Sequence, residues 1–289
     1  MTLRDMIKRV ARAVFPRWVR NWLRAPSGSF TWILQAVSYT FGRIKVIEPR
    51  TGWRIKCHPT FASTMELHHL HDPLQIAELN QFIVECKPEM IFIDCGAHFG
   101  LFSLAALHFG GSQATVVAIE PSPMAIKKLR QQAALNKVTD RLEIIEACVG
   151  RTSGSHSFVP AGVNSSGYFV GKTGENQSSE LVKARCVTID EIVQSMPKPP
   201  THIKIDVEGM EDDVLFGGNH FFKSNNNNVM IFLELHNDVI RSQNENPARV
   251  LERLVQWGFE LLNDMGQPSE IKVLVNKPVT RLLARKMPI

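Results

Sequence analysis

The sequence predicts an α/β protein with an open, doubly wound sheet, and two observations support this interpretation. From Phe92 onward, short apolar runs alternate with amphipathic stretches of helical periodicity, which is typical of βαβ units around a parallel sheet. Several of those runs are apolar at nearly every position, as in strands that are buried on both faces. With 289 residues, 44% of them hydrophobic and 21% charged, the chain has the composition of a globular protein.

The first half of the sheet is predicted from the segments that follow residue 90. They are, in order, a strand at 90–94 (MIFID), a helix at 101–109 (LFSLAALHF), a strand at 114–120 (ATVVAIE), a helix at 123–136 and a strand at 141–149 (RLEIIEACV). Gly110 and Gly111 end the first of these helices. A proline opens the second helix and an asparagine ends it, which are common boundary residues.

The second half begins after a stretch, residues 150–200, that is rich in Gly, Ser, Asn and Pro. That stretch is predicted to contain a hairpin, with HSFV paired to GYFV, and a short helix at TIDEIVQSM. The remaining predicted elements are strands at 201–207 (THIKIDV) and 229–235 (VMIFLEL) with a helix near EDDVLF between them, a helix at 247–258, and two closing antiparallel strands at FELLN and IKVLV.

The N-terminal region differs in character from this main domain. We expect three parts of the chain. Residues 1–25 form a basic amphipathic helical segment, residues 26–72 form an extension with a short hairpin, and residues 73–289 form the main domain. The first segment places apolar and basic side chains on different helical faces, namely Leu3, Ile7 and Val10 against Arg4, Lys8 and Arg12. Such a helix can bind an anionic membrane surface. A helix packed on the protein itself and a transit peptide are the alternatives.

The net charge of +5 is unevenly distributed along the chain. Residues 1–24 contain seven bases and one acid, residues 268–289 five bases and one acid, and residues 25–267 contain 21 bases and 26 acids. The basic balance is therefore assigned to the two ends. No apolar stretch is long enough to span a membrane, and no apolar signal region follows the first bases. Five cysteines without CxxC spacing argue against disulfides and zinc. A cytoplasmic protein is expected, peripheral on the inner face of the membrane if residues 1–25 bind it.

The most informative segment is IFIDCGAHFG, in which a strand, a glycine loop and a helix follow one another. This order places backbone N–H donors and a helix N-terminus at the carboxyl edge of the sheet, where ligands of such folds bind. A dinucleotide site needs GxGxxG, but here Gly96 and Gly100 are spaced as GxxxG and Asp94 precedes them. A carboxylate at that point suits a cation. S-adenosylmethionine carries a sulfonium and an ammonium group and no phosphate, so it fits this loop better.

A second acid, Glu120, ends the next strand of the sheet. An acid at that place typically accepts hydrogen bonds from ribose hydroxyls. Together, the glycine loop and this acid predict a nucleoside site at the carboxyl edge.

Further polar residues lie at or just after the ends of the two strands at 201–207 and 229–235. They are Asp206, Glu208, Glu211, Glu234 and His236. Because both strands end at the same carboxyl edge, these side chains are expected to converge beside the second substrate. His236 is the candidate general base by its ordinary pKa, and Asp206 or Glu208 can take that role if crowded carboxylates raise a pKa.

Two other interpretations of these acids are open. Glu211, Asp212 and Asp213 fall in the first turn of a helix, where acids complement the helix dipole, so they are assigned to helix stabilisation. Asp206, Glu208 and Glu234 offer hard oxygens that suit a divalent metal, which would lower the pKa of an acceptor hydroxyl. A metal is not the favoured interpretation, and none is predicted.

Five segments together resemble the FkbM-type S-adenosylmethionine-dependent methyltransferase family. They are DCGAHFGLFSL (94–104), AIEPSP (118–123), ACVG (147–150), TIDEI (188–192) and IKIDVEGMEDDVLFGG (203–218). The resemblance covers about residues 73–262 and implies a seven-stranded, Rossmann-like class I methyltransferase sheet with helices on both faces. It also implies O-methylation of a sugar, a lipid-linked glycan or a polyketide-like molecule. The family usually has Asn where this chain has His98.

The residues predicted to bind the cofactor combine the loop, the acid and the resemblance. They are Asp94, Gly96, Ala97, His98, Gly100, Glu120, Pro121, Ser122, Cys148 and Asp206. The predicted catalytic residues are His236, Asp206 and Glu208.

Other functions remain as alternatives. A nucleic-acid or N-directed methyltransferase is suggested by the basic ends, but no Asn-Pro-Pro-aromatic motif follows the fourth strand and the body is acidic, so no nucleic-acid partner is expected. An NAD-dependent oxidoreductase lacks the second glycine of its fingerprint. A non-catalytic, membrane-associated binding module is the last alternative.

Overall fold

The computed structural model describes residues 44–64, 72–159, 168–169, 182–224 and 228–286. The predicted basic segment, residues 1–25, lies outside the described residues, and its boundary with the extension stays a prediction. Within the described part, no helix is long and apolar enough to cross a membrane.

The described part of the N-terminal extension contains a hairpin. β1 (Lys45–Arg50) pairs antiparallel with β2 (Trp53–Cys57), and the helix α1 (Pro59–Thr64) follows. Trp53 is buried, and its ring stacks on His108 and meets Phe109 edge-on, so the hairpin packs against the main domain. The helix α2 (Pro73–Glu85) begins where the Asp72 side chain accepts a hydrogen bond from the Leu74 N–H.

The main sheet has seven strands within the described residues, namely β3 (Ile91–Cys95), β4 (Thr115–Glu120), β5 (Leu142–Glu146), β10 (His202–Ile205), β11 (Met230–Leu235), β12 (Phe259–Leu262) and β13 (Thr280–Lys286). Their spatial order is β12-β13-β11-β10-β3-β4-β5. β13 is antiparallel to both its neighbours, and the five strands from β11 to β5 are parallel. The carboxyl ends of these parallel strands form one edge, where the site lies.

Helices cover both faces of this sheet, as predicted. The other described helices are α3 (Leu101–Phe109), α4 (Pro123–Leu135), α5 (Ile189–Ser195), α6 (Glu211–Gly217), α7 (Asn219–Lys223), α8 (Asn237–Ser242), α9 (Ala248–Gln256) and α10 (Ile271–Leu274). One apolar core joins one face of the sheet to α2, α3 and α4, and a second core joins the other face to α5, α6, α7 and α9. The doubly wound α/β fold is therefore confirmed.

The predicted strand at 141–149 is wrong in its length, because the chain divides there between two sheets. Leu142–Glu146 stays in the main sheet, while β6 (Cys148–Val149) joins a smaller one with β9 (Val182–Val187), β7 (Gly154–Val159) and β8 (Tyr168–Phe169). At Ala147 the N–H bonds to the carbonyls of both Ile145 and Glu120, which turns the chain out of β5. The predicted hairpin is confirmed, since β7 and β8 pair antiparallel.

The predicted closing strand at IKVLV is also wrong. Residues Ile271–Leu274 form the helix α10, and the closing strand is Thr280–Lys286, which inserts between β11 and β12. The basic residues of this strand concealed it in the sequence. Arg285 pairs with Glu260, and Arg281 pairs with Glu78 and Glu234, so these bases belong to the body and not to a free basic end.

Candidate functional site

The glycine loop between β3 and α3 passes close to the end of β10. Gly96 has a φ of 80° and Gly100 a φ of 86°, both in the left-handed region that favours glycine. A Cβ atom on Gly96 would lie 2.0 Å from the Asp206 carbonyl oxygen, so only glycine allows this approach. The Gly96 and Ala97 N–H groups donate to the Ile119 carbonyl at 3.0 and 3.1 Å. The loop is thereby fixed between the ends of β10 and β4.

Asp94 lies buried at the end of β3, directly before this loop. The Ser103 hydroxyl, from the first turns of α3, donates to its Oδ2 at 2.6 Å. Burial raises the pKa of Asp94 to about 6, although the bond from Ser103 and the charge of Lys204 oppose this shift. The carboxylate is thus desolvated, and a cationic ligand would relieve that cost. Ser103, inside the glycine-loop segment, was not predicted as a site residue.

Glu120 connects the glycine loop to the start of α4. Its two carboxylate oxygens accept from the His98 N–H at 2.9 Å and the Ser122 N–H at 2.8 Å. Burial raises the pKa of Glu120 to about 7, against the effect of those two hydrogen bonds. Both oxygens keep lone pairs for further donors.

The remaining predicted cofactor residues surround Glu120. His98 has a left-handed φ of 48° and its ring stacks on Phe99. Ser122, which follows Pro121, caps α4 through its hydroxyl. Cys148 is buried in β6, and burial raises its thiol pKa to about 12, as for an unreactive core residue.

His236 lies at the centre of the second half of the edge, between the ends of β10 and β11. Its ring nitrogens lie 2.8 Å from Glu211, 3.3 Å from Glu208, and 3.9 Å from both Asp206 and Glu234. The structure therefore brings together all five polar residues that follow these two strands. The side chains of Asp206 and Glu208 are 29% and 36% exposed, so solvent reaches this side of the group.

The charge of His236 differs from the sequence-based expectation of an ordinary pKa. Burial lowers the pKa, but the hydrogen bond to Glu211 and the charges of Glu211, Asp206 and Glu208 outweigh it and raise the pKa to about 9. With this pKa the imidazole is protonated at neutral pH. A base function requires that a bound cation first lower this pKa.

Glu211 is not simply a helix-dipole acid, so its assignment to helix stabilisation is corrected. The residue is fully buried, and its Oε1 accepts from the His236 Nδ1 at 2.8 Å and from the Gly209 N–H at 2.9 Å. Asp212 and Asp213, in the same turn, instead pair with arginines, Arg151 and, for Asp212, also Arg253. The three acids therefore have different roles.

A buried ion network, missed by the sequence analysis, lies behind these groups. The Lys204 ammonium is 3.1 Å from Asp206, 3.2 Å from Glu78 and 3.8 Å from Glu234, and Arg281 contacts the last two acids. Burial works against charge on Lys204, but the surrounding carboxylates hold its pKa above its usual value. Lys204 and His236 in turn keep the pKa of Asp206 below its usual value against the effect of burial.

The same groups allow a test of the metal alternative. One ligand atom from each of Asp206, Glu234 and His236 lies within 4.8 Å of the others, so this trio, with His236 in place of the expected Glu208, has the spacing of a cation site. Lys204 already places a positive charge beside two of the three. We therefore assign no metal to the trio.

A family model and a curated protein are both similar to this chain. A family model described as the methyltransferase FkbM domain matches residues 94–261. The hexuronic acid methyltransferase AglP of Haloferax volcanii is 23% identical over 234 residues, covering 80% of this chain and 83% of that protein.

Two solved structures are also similar. The methyltransferase FkbM of Methylobacillus flagellatus is 15% identical with a TM-score of 0.44, and the match covers 78% of this chain and 58% of that one. An O-methyltransferase from Bacillus cereus, solved with SAH, is 11% identical with a TM-score of 0.43, covering 79% of this chain and 90% of that one.

Proposed function

The chain belongs to the FkbM family of methyltransferases, and from this premise we propose that it transfers the methyl group of S-adenosylmethionine to a hydroxyl of a sugar. The observation that carries the proposal is that two different groups of residues lie at one edge of the sheet. Asp94 and the glycine loop offer a carboxylate for a cationic cofactor, and His236 with its carboxylates offers a proton acceptor for a hydroxyl.

The cofactor is proposed to bind over β3 and β4. Gly96 lets the loop lie against the end of β10 and Gly100 lets it lie against Leu129, and Asp94 supplies negative charge for the ammonium and sulfonium groups. Glu120 can accept hydrogen bonds from ribose hydroxyls with its remaining lone pairs while it also accepts one from the His98 N–H. Asp206, directly after β10, forms the third side of this proposed cofactor site, because its backbone lies against the glycine loop.

The reaction needs little more than alignment and removal of one proton. The acceptor oxygen attacks the methyl carbon in line, the C–S bond breaks with its electron pair left on sulfur, and an O–C bond forms. Holding the reacting atoms about 3 to 3.5 Å apart can contribute on the order of 7 to 11 kcal/mol. Once the charge of the bound cofactor has lowered the pKa of His236 and its ring is neutral, the hydroxyl proton moves to the Nε2 of His236, which lies 3.3 Å from Glu208, and leaves to solvent from that partly exposed side.

A sugar acceptor is supported by two considerations. The partly exposed carboxylates of Asp206 and Glu208 are suited to accept hydrogen bonds from neighbouring hydroxyls. AglP, similar over 80% of this chain, is a hexuronic acid methyltransferase by name. A lipid-linked glycan is an acceptor of the same chemistry.

The test is methyl transfer from trideuteromethyl S-adenosylmethionine to a panel of methyl hexosides, the matching methyl hexuronosides and glucosamine, read by mass spectrometry. We expect a labelled methyl ether on at least one sugar hydroxyl. Label only on the glucosamine nitrogen would favour the N-directed alternative. Absence of label on every acceptor, with the cofactor bound, would contradict a sugar acceptor.

Peripheral membrane attachment through residues 1–25 is a second proposal, supported by the sequence pattern alone. Replacing Arg4, Lys8 and Arg12 by Ala in the full chain should abolish co-flotation with vesicles that contain anionic phosphatidylserine. Equal flotation of both proteins, or none of the unchanged protein, would contradict it.

A further inference from the structure

The carboxylate of Glu211 connects the two segments that form the second half of the site. It is fully buried at the start of α6, and one of its oxygens, Oε1, receives two hydrogen bonds. One comes from the ring of His236, and the other from the backbone of Gly209. These two donors lie after different strands of the sheet, because Gly209 follows β10 and His236 follows β11.

The backbone between β10 and α6 needs such an anchor. Glu208 has a φ of 53°, which is uncommon for a residue other than glycine, and Gly209 has a φ of 95°. A Cβ atom on Gly209 would come within 2.5 Å of Val239, so the turn is also closely packed. The bond from the Gly209 N–H to Glu211 closes this turn, and the turn directs Glu208 toward His236.

The same oxygen determines which imidazole nitrogen carries the hydrogen. An oxygen that already accepts from a backbone N–H faces the His236 Nδ1 at 2.8 Å as an acceptor. Nδ1 must therefore be the donor, which leaves Nε2 of the neutral ring with its lone pair. Nε2 is the nitrogen that faces Glu208 and Asp206, on the side where a hydroxyl would lie.

We propose that Glu211 is a positioning residue, which fixes the Nδ1–H tautomer of His236 and the turn that carries Glu208. The inference rests on the proposed function, because it assigns the acceptor hydroxyl proton to Nε2 of His236. Asp206 and Glu234 also lie near the ring, but at 3.9 Å they make no hydrogen bond to it. Lys204 and Arg281 contact those acids from behind.

Two substitutions separate the hydrogen bonds of Glu211 from its charge. In Glu211→Gln the Gly209 N–H can donate only to the amide oxygen, which therefore takes the Oε1 position. Both hydrogen bonds, from Gly209 and from His236, are then kept. In Glu211→Met the volume is filled and both hydrogen bonds are lost. We expect kcat of Glu211→Gln within about tenfold of the unchanged protein and kcat of Glu211→Met lower by about 100-fold, with KM for S-adenosylmethionine nearly constant. Asp212→Asn, on the same turn but paired to arginines, is the matched control and should leave kcat unchanged.

A double-mutant cycle tests whether Glu211 acts through His236. Glu211→Met in the background of His236→Gln should cause no further loss of kcat, because the residue that it positions is already gone. The kinetic acceptor is the hexoside or hexuronoside that gives most labelled product. Losses that multiply, or a folded Glu211→Met that keeps its kcat, would overturn the proposal.

Nitrogen-15 NMR of histidine-labelled full-length protein supplies a readout that needs no turnover. At alkaline pH the His236 signal, assigned through its loss in His236→Gln, should show Nδ1–H in the unchanged protein and in Glu211→Gln. An Nε2–H tautomer would overturn the inference even if methyl transfer is observed. An Nδ1–H tautomer without any methyl transfer or cofactor binding would instead contradict the proposed function, so the two failures can be distinguished.

Discussion

The two halves of the carboxyl edge hold their carboxylates in different ways. Beside β3 and β4, Asp94 and Glu120 accept hydrogen bonds from neutral donors, a serine hydroxyl and two backbone N–H groups. Beside β10 and β11, Asp206 and Glu234 contact the cations Lys204, Arg281 and His236. Among the described residues, no lysine or arginine forms an ion pair with Asp94 or Glu120.

This difference indicates what each half is suited to bind. Burial raises the pKa values of Asp94 and Glu120, which have no ion-pair partner among the described residues, so a cationic ligand gains by adding positive charge beside them. The second half instead holds its carboxylates with the cations Lys204 and Arg281, which keep the pKa of Asp206 below its usual value, although burial and the charges of Asp206 and Glu78 still raise the pKa of Glu234 to about 8. The first half is therefore suited to a sulfonium cofactor and the second to orienting a neutral hydroxyl.

The largest expected effect is on stability, from Lys204→Met. The change leaves Glu78, Asp206 and Glu234 without the ammonium between them, and removal of one partner from a buried ion network typically costs about 3 to 5 kcal/mol. Urea denaturation followed by circular dichroism measures the free energy of unfolding. Lys87→Met, at an exposed ion pair 3.9 Å long, is the control and should cost less than about 1 kcal/mol. Equal losses in the two variants would show that the buried network around Lys204 contributes no more stability than an exposed ion pair.

The next largest effect is expected at the cofactor half. Asp94→Asn keeps a partner for the Ser103 hydroxyl but removes the negative charge, so the Kd for S-adenosylmethionine should rise about 100-fold, or roughly 3 kcal/mol. The rise should be smaller for S-adenosylhomocysteine, whose sulfur is neutral. Glu143→Gln, exposed on β5, is the control. An unchanged affinity in Asp94→Asn would place the cofactor elsewhere.

A smaller effect connects the two halves through protonation. His236 has a pKa of about 9 before a ligand binds, and a nearby sulfonium charge should lower it. Near pH 8 the unliganded imidazole is protonated, so cofactor binding should release up to one proton. Calorimetry in buffers of different ionisation enthalpy measures this release. His236→Gln should lose it, whereas a release that persists in that variant would assign the proton to another group.

The smallest expected effect is that of chelation, which should leave the rate of methyl transfer unchanged. Lys204 and Arg281 already place positive charge beside Asp206 and Glu234, so we expect no divalent ion there. Turnover that is lost in EDTA and restored by Mg²⁺ would show that the trio of Asp206, Glu234 and His236 holds a metal.

The sequence predicted the elements whose signals are local. The strand, glycine loop and helix around Asp94 have their apolar run, turn and helix within twenty residues, and the structure places them with shifts of one residue. The closing strand was missed because its bases suggested a charged tail, and their partners, Glu78 and Glu260, lie elsewhere in the chain. A residue whose charge is balanced by a distant partner cannot be recognised from local sequence.

The same limit applied within the candidate site. His236 and the acids around it were predicted as a group, since strand ends at one edge converge. Lys204 escaped notice although a lysine in the apolar run IKI is itself a signal of a buried partner. Glu211 resembled any first-turn acid, because only the fold places Oε1 against His236 and Gly209.

Calorimetric titration with S-adenosylmethionine and S-adenosylhomocysteine tests the central claim most directly. We expect saturable binding of both at one site per chain, tighter for the sulfonium compound because Asp94 and Glu120 are held by neutral donors. Absence of binding of either compound at millimolar concentration would contradict it.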